Sequence, residues 1–522
     1  MSGQGDFERR IGRRGFIFNA AAGAVAVSGL TAPATQAMAR GHGRPQLTSG
    51  VQSGDVSARN AIVWGRADRT AEMYVEISPT ESFRRSRLVR GPLATEATDF
   101  TAQVELDLLP SAEEFFYRVA FAEPGRPRRL GEAEVGHLRT APSRGSKRDV
   151  RFVWGGDTAG QGWGINPDFG GMRMYETMRR REPDFFLHSG DTIYADGPIL
   201  PEVTLPDGSV WRNVTIEEKS KVAETLAEFR GNHRYNLLDD NVRRFNAEVA
   251  NIAQWDDHEV TNNWYPGEVL DDPRYVVRDV DVLAARGNQA FHEYWPIRQR
   301  RRELGRVYRR IAYGPSLDVF VIDMRTYRGP NTANNQSERS EQTEILGRTQ
   351  LAWLKRQLQR STATWKVIAS DMPIGLVVAD GPAAFEAVAQ GNGPALGREL
   401  EIAELLSHIK RTAIRNTVWL TADVHFSAAH HYDPNRAQYQ DFDPFWEFVS
   451  GPLHAGSFPP NKLDNTFGPQ IRFVKGPSTR NQPPSAGLQF AGEVQIDGET
   501  EQMVVRIFDL AGEVLFEVGL DP

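Results

Sequence analysis

Six short apolar runs in this sequence end in aspartate or histidine: they lead to Asp157, Asp191, Asp257 with His258, Asp323, Asp371, and Asp423 with His425. One aspartate after a strand commonly serves a turn. Six acidic ends converging on one edge of a sheet would repel one another strongly unless cations compensated them. Asp323 and Asp371 read as well as turn residues as they do as ligands, so the remaining ends are the stronger candidates. Carboxylate and imidazole donors without thiolate favour hard or borderline cations such as iron, manganese, magnesium, calcium or zinc. Paired ions about 3.5–4 Å apart serve phosphoryl chemistry by clamping the attacking and leaving oxygens. The chain has no cysteine, which excludes thiolate sites, cysteine nucleophiles and disulfides. It also lacks a G-x-S-x-G serine elbow.

The elements that must position these residues alternate between strand and helix. Residues 150–154, 184–187, 251–255, 317–322, 365–369 and 417–421 are apolar runs suited to buried parallel strands. Residues 446–449 form another, ending in Ser450-Gly451-Pro452-Leu453-His454. Helical spacing is read over 171–181, 216–236, 239–250 and 399–411, and in Leu351, Leu354 and Leu358. This pattern predicts an α/β domain over 148–522 with helices on both faces of its central strands. Ligands of such sheets lie beyond the carboxyl ends of the strands, where the acidic residues fall. Residues 492–496, 502–509 and 513–519 read as an antiparallel edge. The Gly/Pro/Asn/Ser-rich connections 329–342, 379–397 and 456–485 are long enough to be walls of a site.

Residues 46–142 read as a small all-β sandwich that packs or positions, joined through a linker at 140–147. Residues 1–39 read as a targeting segment: Arg13-Arg14 precedes a weakly apolar run and Ala37-Met38-Ala39 supplies a cleavage site. The expected partner is the twin-arginine export machinery, the expected location periplasmic or secreted, with no integral span in the mature chain. At 522 residues, 40% apolar and 25% charged, the chain suits two or more globular domains. Its net charge of -7 leaves no basic footprint for nucleic acid.

Gly190-Asp191-Thr192-Ile193-Tyr194 resembles the GDxxY motif of purple acid phosphatases and of the wider calcineurin-like metallophosphoesterases. Together with WDDHEVTNNW at 255–264 and ADVHFS at 422–427, it looks like the alkaline phosphatase D family. The resemblance covers the chain from about Gln46 to the end. It implies a sandwich of two mixed sheets flanked by helices, preceded by the small β domain. It also implies an exported phosphomonoesterase or phosphodiesterase using Fe3+ and Ca2+, with Zn, Mn or Mg as other occupants. Carried over, Asp157 binds the first metal, Asp191 bridges both and Tyr194 is a phenolate on iron. Asp257 stands on the second metal with His258 beside the leaving group, and Asp423 and His425 serve one metal each. Asn262 or Asn263 adds a calcium ligand. The sequence departs from some members in having Asp157 without a cysteine on iron, and Asp423 in place of the first histidine of a GHxH motif. Arg325 and Arg328 grip phosphate oxygens or pair with the acids. His430, His431 and His454 are read as surface or supporting residues. The substrate expected is a small phosphate ester. The alternatives are a phospholipase-D-like diesterase and a non-catalytic protein in which metals staple loops.

Overall fold

The computed structural model describes residues 43–205 and 207–522, so the proposed targeting segment, residues 1–39, lies outside the described residues. Two mixed sheets face each other. The larger has nine strands, and its centre is the parallel set Val150–Gly155, Phe185–Ser189 and Ala250–Gln254. The smaller has seven, with Leu317–Val321, Trp365–Ala369, Thr417–Thr421 and Phe445–Val449 in parallel at its centre. The antiparallel strands Phe490–Ile496, Met503–Asp509 and Val514–Leu520 close one side of the larger sheet, as the sequence predicts.

Both faces of the central strands are largely buried, which is why they read as mainly apolar runs. Alternation still sorts their side chains. Phe152, Trp154, Phe185, Leu187, Val319, Val367, Val418 and Leu420 fill the core between the sheets. Val153 and Phe186 turn outward to Tyr175, Met178 and Phe245. Phe320, Ile368 and Trp419 turn outward on the other side to Leu351, Leu354, Ile402 and Leu405. Helices therefore cover both outer faces: Arg173–Arg179 and Asp240–Glu248 on one, Gly347–Arg360 and Glu399–Arg411 on the other. Among the described residues, no helix is long and apolar enough to cross a membrane.

Residues 46–142 supply a four-stranded sheet (Arg87–Ala94, Ala71–Ser78, Glu114–Ala122, Glu134–Arg139) and three strands, Leu47–Gly54, Ala61–Ala67 and Thr101–Leu106. The sequence presents this module as a separate sandwich, yet the three strands continue the nine-stranded sheet where Gly54 pairs with Asn251. A Cβ on Gly54 would lie 2.6 Å from the Asn251 carbonyl oxygen, so the seam requires glycine. Buried Asp55 next to it accepts from Arg309 Nη2 at 2.8 Å and ties the module to the smaller sheet's edge.

The helix expected over 216–236 is shorter. A single 3-10 turn, Glu217–Lys219, precedes the α-helix Leu226–Asn236, whose start is fixed by a capping box between Thr225 and Glu228. Before that box, Lys219 is drawn inside to donate to the Tyr194 carbonyl at 3.0 Å and to Asn232 Oδ1 at 2.7 Å.

Candidate metal centre

The carboxyl ends of the parallel strands in both sheets meet at one end of the sandwich. Turns there place Asp157 (φ 69°), Asp191 (φ 50°), Asp423 (φ 69°) and His425 (φ 60°) in the left-handed region, which non-glycine residues seldom occupy. Such conformations cost on the order of 1–3 kcal/mol each and gather where surrounding structure imposes them, often at functional sites. Gly190, just before Asp191, has φ 99°, and a Cβ there would stand 2.5 Å from the Asp256 Cβ. That glycine lets two acid-bearing turns touch.

Three groups of ligating atoms result, with the atoms in each group within 4.8 Å of one another: Asp157, Asp191 and His425; Asp191, Asp257 and His258; and Asp256, Asp257 and Asp423. Asp191 and Asp257 each belong to two groups, so the clusters form one continuous centre. Both oxygens of Asp157, Oδ2 of Asp256 and Oδ1 of Asp257 are buried without hydrogen-bond partners. Burial, then the neighbouring carboxylates, push Asp157 and Asp191 well above the usual carboxylate range. Burial with Glu386 and Asp256 does the same to Asp423. Buried acids lacking partners call for positive charge, and their oxygens fit a hard cation.

The remaining side chains are arranged to suit that charge. His425 Nδ1 lies 2.6 Å from the Gly456 carbonyl oxygen and so carries the proton, which makes Nε2 the lone-pair nitrogen, beside Asp157 Oδ1 at 3.7 Å. Burial pulls His425 down to about 3, which keeps the ring neutral. The Tyr194 hydroxyl is 2.9 Å from the same Nε2. Burial, with Asp191 and Asp157 nearby, holds the Tyr194 phenol well above its ordinary value. His258 behaves oppositely. Burial opposes its charge, but Asp196 and Asp257 outweigh burial and raise it to about 10. Asp196 Oδ1 accepts from His258 Nδ1 at 2.7 Å, and Asp196 Oδ2 accepts from the Asn262 amide at 3.0 Å. Asp257 is buried too, yet His258, Arg325 and the Asn263 amide hold it at about 2.

Asn263 donates its side-chain amide to Asp380 Oδ1 at 3.0 Å, which leaves its oxygen as the one atom able to ligate. Arg325 is wholly buried: Nε lies 2.5 Å from Asp256 Oδ1 and Nη2 2.5 Å from Glu386 Oε1, with Asp257, Asp371 and Asp423 farther out. These distances are those of the salt-bridge reading. Arg325→Met would leave Asp256 and Glu386 uncompensated and is expected to cost about 3–5 kcal/mol in denaturant unfolding. An unchanged unfolding midpoint would show that these acids have another counter-charge. Arg328, also buried, donates to Asn331 Oδ1 at 3.0 Å and to the Glu386 carbonyl.

Asp323 accepts from Trp255 Nε1 and from the amides of Arg325 and Thr326, which is the work of a turn residue. Asp371 accepts from the Met372 amide. His430 and His454, read from sequence as surface or supporting residues, are buried. His430 pairs with Glu447 at 3.1 Å, and the His454 backbone brackets the Asp157 turn by bonds to Asp157 and Ala159. His431 is half-buried, its ring 5.0 Å from that of Trp446. Sequence reasoning missed Asp196, Asp256, Glu259 and Glu386 as site residues. Glu259 accepts from the Asp256 amide at 2.7 Å and the Thr192 hydroxyl at 2.6 Å, locking the two acidic turns together. The first three sit inside or beside the motifs. Glu386 comes from a distant loop with no motif to announce it.

An acid-and-imidazole cluster able to hold metal lies at the shared strand ends of a two-sheet sandwich, and comparison with known proteins gives its class. Residues 152–507 match the family model of the PhoD-like phosphatase, and residues 31–142 match that of its N-terminal domain. The chain belongs to the PhoD-like phosphatase family and is a phosphoester hydrolase. It is 26% identical over 445 residues to alkaline phosphatase D of Bacillus subtilis (strain 168), covering 80% of this chain and 71% of that one. Its fold is similar to the structure of PhoD, with a TM-score of 0.67 at 21% identity, over 90% of this chain and 88% of that one. It is also similar to purple acid phosphatase PPD1 from yellow lupin (Lupinus luteus) seeds, with a TM-score of 0.57 at 13% identity, over 92% and 74%. The acidic and histidine clusters together with the phosphatase relatives support metal dependence.

Proposed function

We propose that this chain is an exported phosphoesterase that hydrolyses small phosphomonoesters, phosphodiesters or both at the strand-end centre. The observation that carries the reading is the sharing of Asp191 and Asp257 between adjacent ligand groups, which suits a pair of cations on one substrate. Asp157, Asp191, Tyr194 and His425 would hold Fe3+. Asp257, Asp423 and the Asn263 oxygen would hold Ca2+, with Asp191 shared. Bound there, the cations supply Lewis acidity toward water and phosphoryl oxygens. His258, charged and held through Nδ1 by Asp196, keeps the Nε2 proton for the leaving-group oxygen. Arg325 keeps the acidic ends together and limits their repulsion. Asp196 and the Asn263 amide fix the rotamers of His258 and Asp257. Arg13-Arg14 and Ala37-Met38-Ala39 support export through the twin-arginine machinery to the periplasm or beyond.

Initial rates on a mono- and a diester, beside the metal content of protein folded in vivo, test the reading. Activity on neither ester contradicts it. The iron assignment has its own test. A Tyr194 phenolate on Fe3+ gives a visible charge-transfer band, and no cysteine is present to add a thiolate band. Tyr194→Phe keeps the ring, which packs 4.3 Å from the His258 ring, and removes only the oxygen. The band is expected to vanish while thermal stability is kept. A coloured variant, or an iron-loaded colourless parent, contradicts tyrosinate ligation.

A further inference from the structure

His425 is the inner end of a stack that reaches the surface. Its imidazole lies on the Phe458 ring with centroids 4.6 Å apart and planes 26° apart, and the Arg480 guanidinium lies 4.8 Å from the same ring's centroid. The Phe458 amide donates to the His425 carbonyl at 2.9 Å, which ties the two backbones together beside the centre. The loop that bears Arg480 is fastened as well. Ser457 and Gln482 exchange two backbone hydrogen bonds at 3.0 Å, and Trp163 Nε1 donates to Asn481 Oδ1 at 2.8 Å.

Arg480 is exposed, whereas His425 is 3% exposed, so the stack runs from solvent into the centre. No carboxylate among the described residues lies within ion-pair distance of Arg480, although acids dominate the centre beneath it. A guanidinium held over an aromatic ring retains N–H donors for an anion. The aromatic contact also limits the rotamers lost when an anion binds.

We infer that Arg480 is the outer anion-binding residue of this site: it takes a second anionic group of the substrate, on the alcohol portion beyond the scissile phosphoryl group. The preferred substrates are then phosphate esters whose alcohol carries a carboxylate or a further phosphate. This inference rests on the phosphoesterase reading proposed above. Arg480 holds substrate and takes no part in bond cleavage, so its loss acts on KM and leaves kcat alone.

The test compares phenyl phosphate with 4-carboxyphenyl phosphate, which differ by one carboxylate, on the metal-loaded full-length enzyme. Arg480→Ala is expected to raise KM for 4-carboxyphenyl phosphate about tenfold, the size of one charge-assisted hydrogen bond. KM for phenyl phosphate should change less than about twofold, and kcat and metal content should stay as in the parent. Arg480→Lys should recover part of the difference, and raising ionic strength should shrink the parent's preference. Equal changes for the two esters, or none, overturn the inference and leave the phosphoesterase reading standing. Failure of the parent to cleave either monoester overturns the inference, and failure on a diester as well overturns the phosphoesterase reading.

Discussion

Asp191→Asn is expected to reduce phosphate-ester hydrolysis to background and to release at least one metal ion. The asparagine matches the aspartate in size, tolerates the left-handed backbone at φ 50° and can still accept from the His258 amide. Packing is therefore retained, and what is lost is one negative charge and one ligating oxygen. That loss falls where two ligand groups overlap, so it weakens both together. Elemental analysis and kcat/KM, with the thermal midpoint as a control for folding, decide the matter. A variant that keeps its full metal content and its rate would remove Asp191 from the centre.

His258→Ala should behave differently, keeping the metals and losing about 10²–10⁴-fold in kcat, the range of a general acid. Nδ1 of His258 is occupied by Asp196 at 2.7 Å, and Asp196 with Asp257 raises the ring to about 10, which suits a proton donor better than a neutral ligand. His258 nonetheless lies within ligating range of Asp191 and Asp257. Metal loss in His258→Ala equal to that in Asp191→Asn would therefore reassign it as a ligand.

The parallel strands were legible in the sequence because each is mostly apolar and buried, and their aspartates follow two or three residues after the last paired position. Strands lacking that property escaped notice. Arg309–Tyr313 carries two arginines, one buried by its pairing with Asp55. Ser427–Tyr432 carries His430 and His431, and Pro469–Lys475 is an exposed edge. Helix Val280–Tyr294 went unread although Asp279 caps it and Val280, Leu283 and Phe291 line its buried face. The overlong helix at 216–236 shows tertiary demand overriding local pattern, since buried Lys219 reaches back to the Tyr194 carbonyl. At the centre, motif-borne residues were readable and their supports were not. Asp196 lies two residues after Tyr194 and reveals its purpose only where it meets His258. Glu386 meets Arg325 across a fold whose loop contacts no spacing encodes.

Hydrolysis is expected to depend on metal held at the shared strand ends. The most direct test of this dependence is metal content and phosphate-ester hydrolysis measured on the same preparation before chelation, after it, and after metal is returned. The account predicts two or more ions per chain at the start, loss of hydrolysis in step with loss of metal, and recovery of both on reconstitution. Undiminished hydrolysis by the metal-free chain would contradict it.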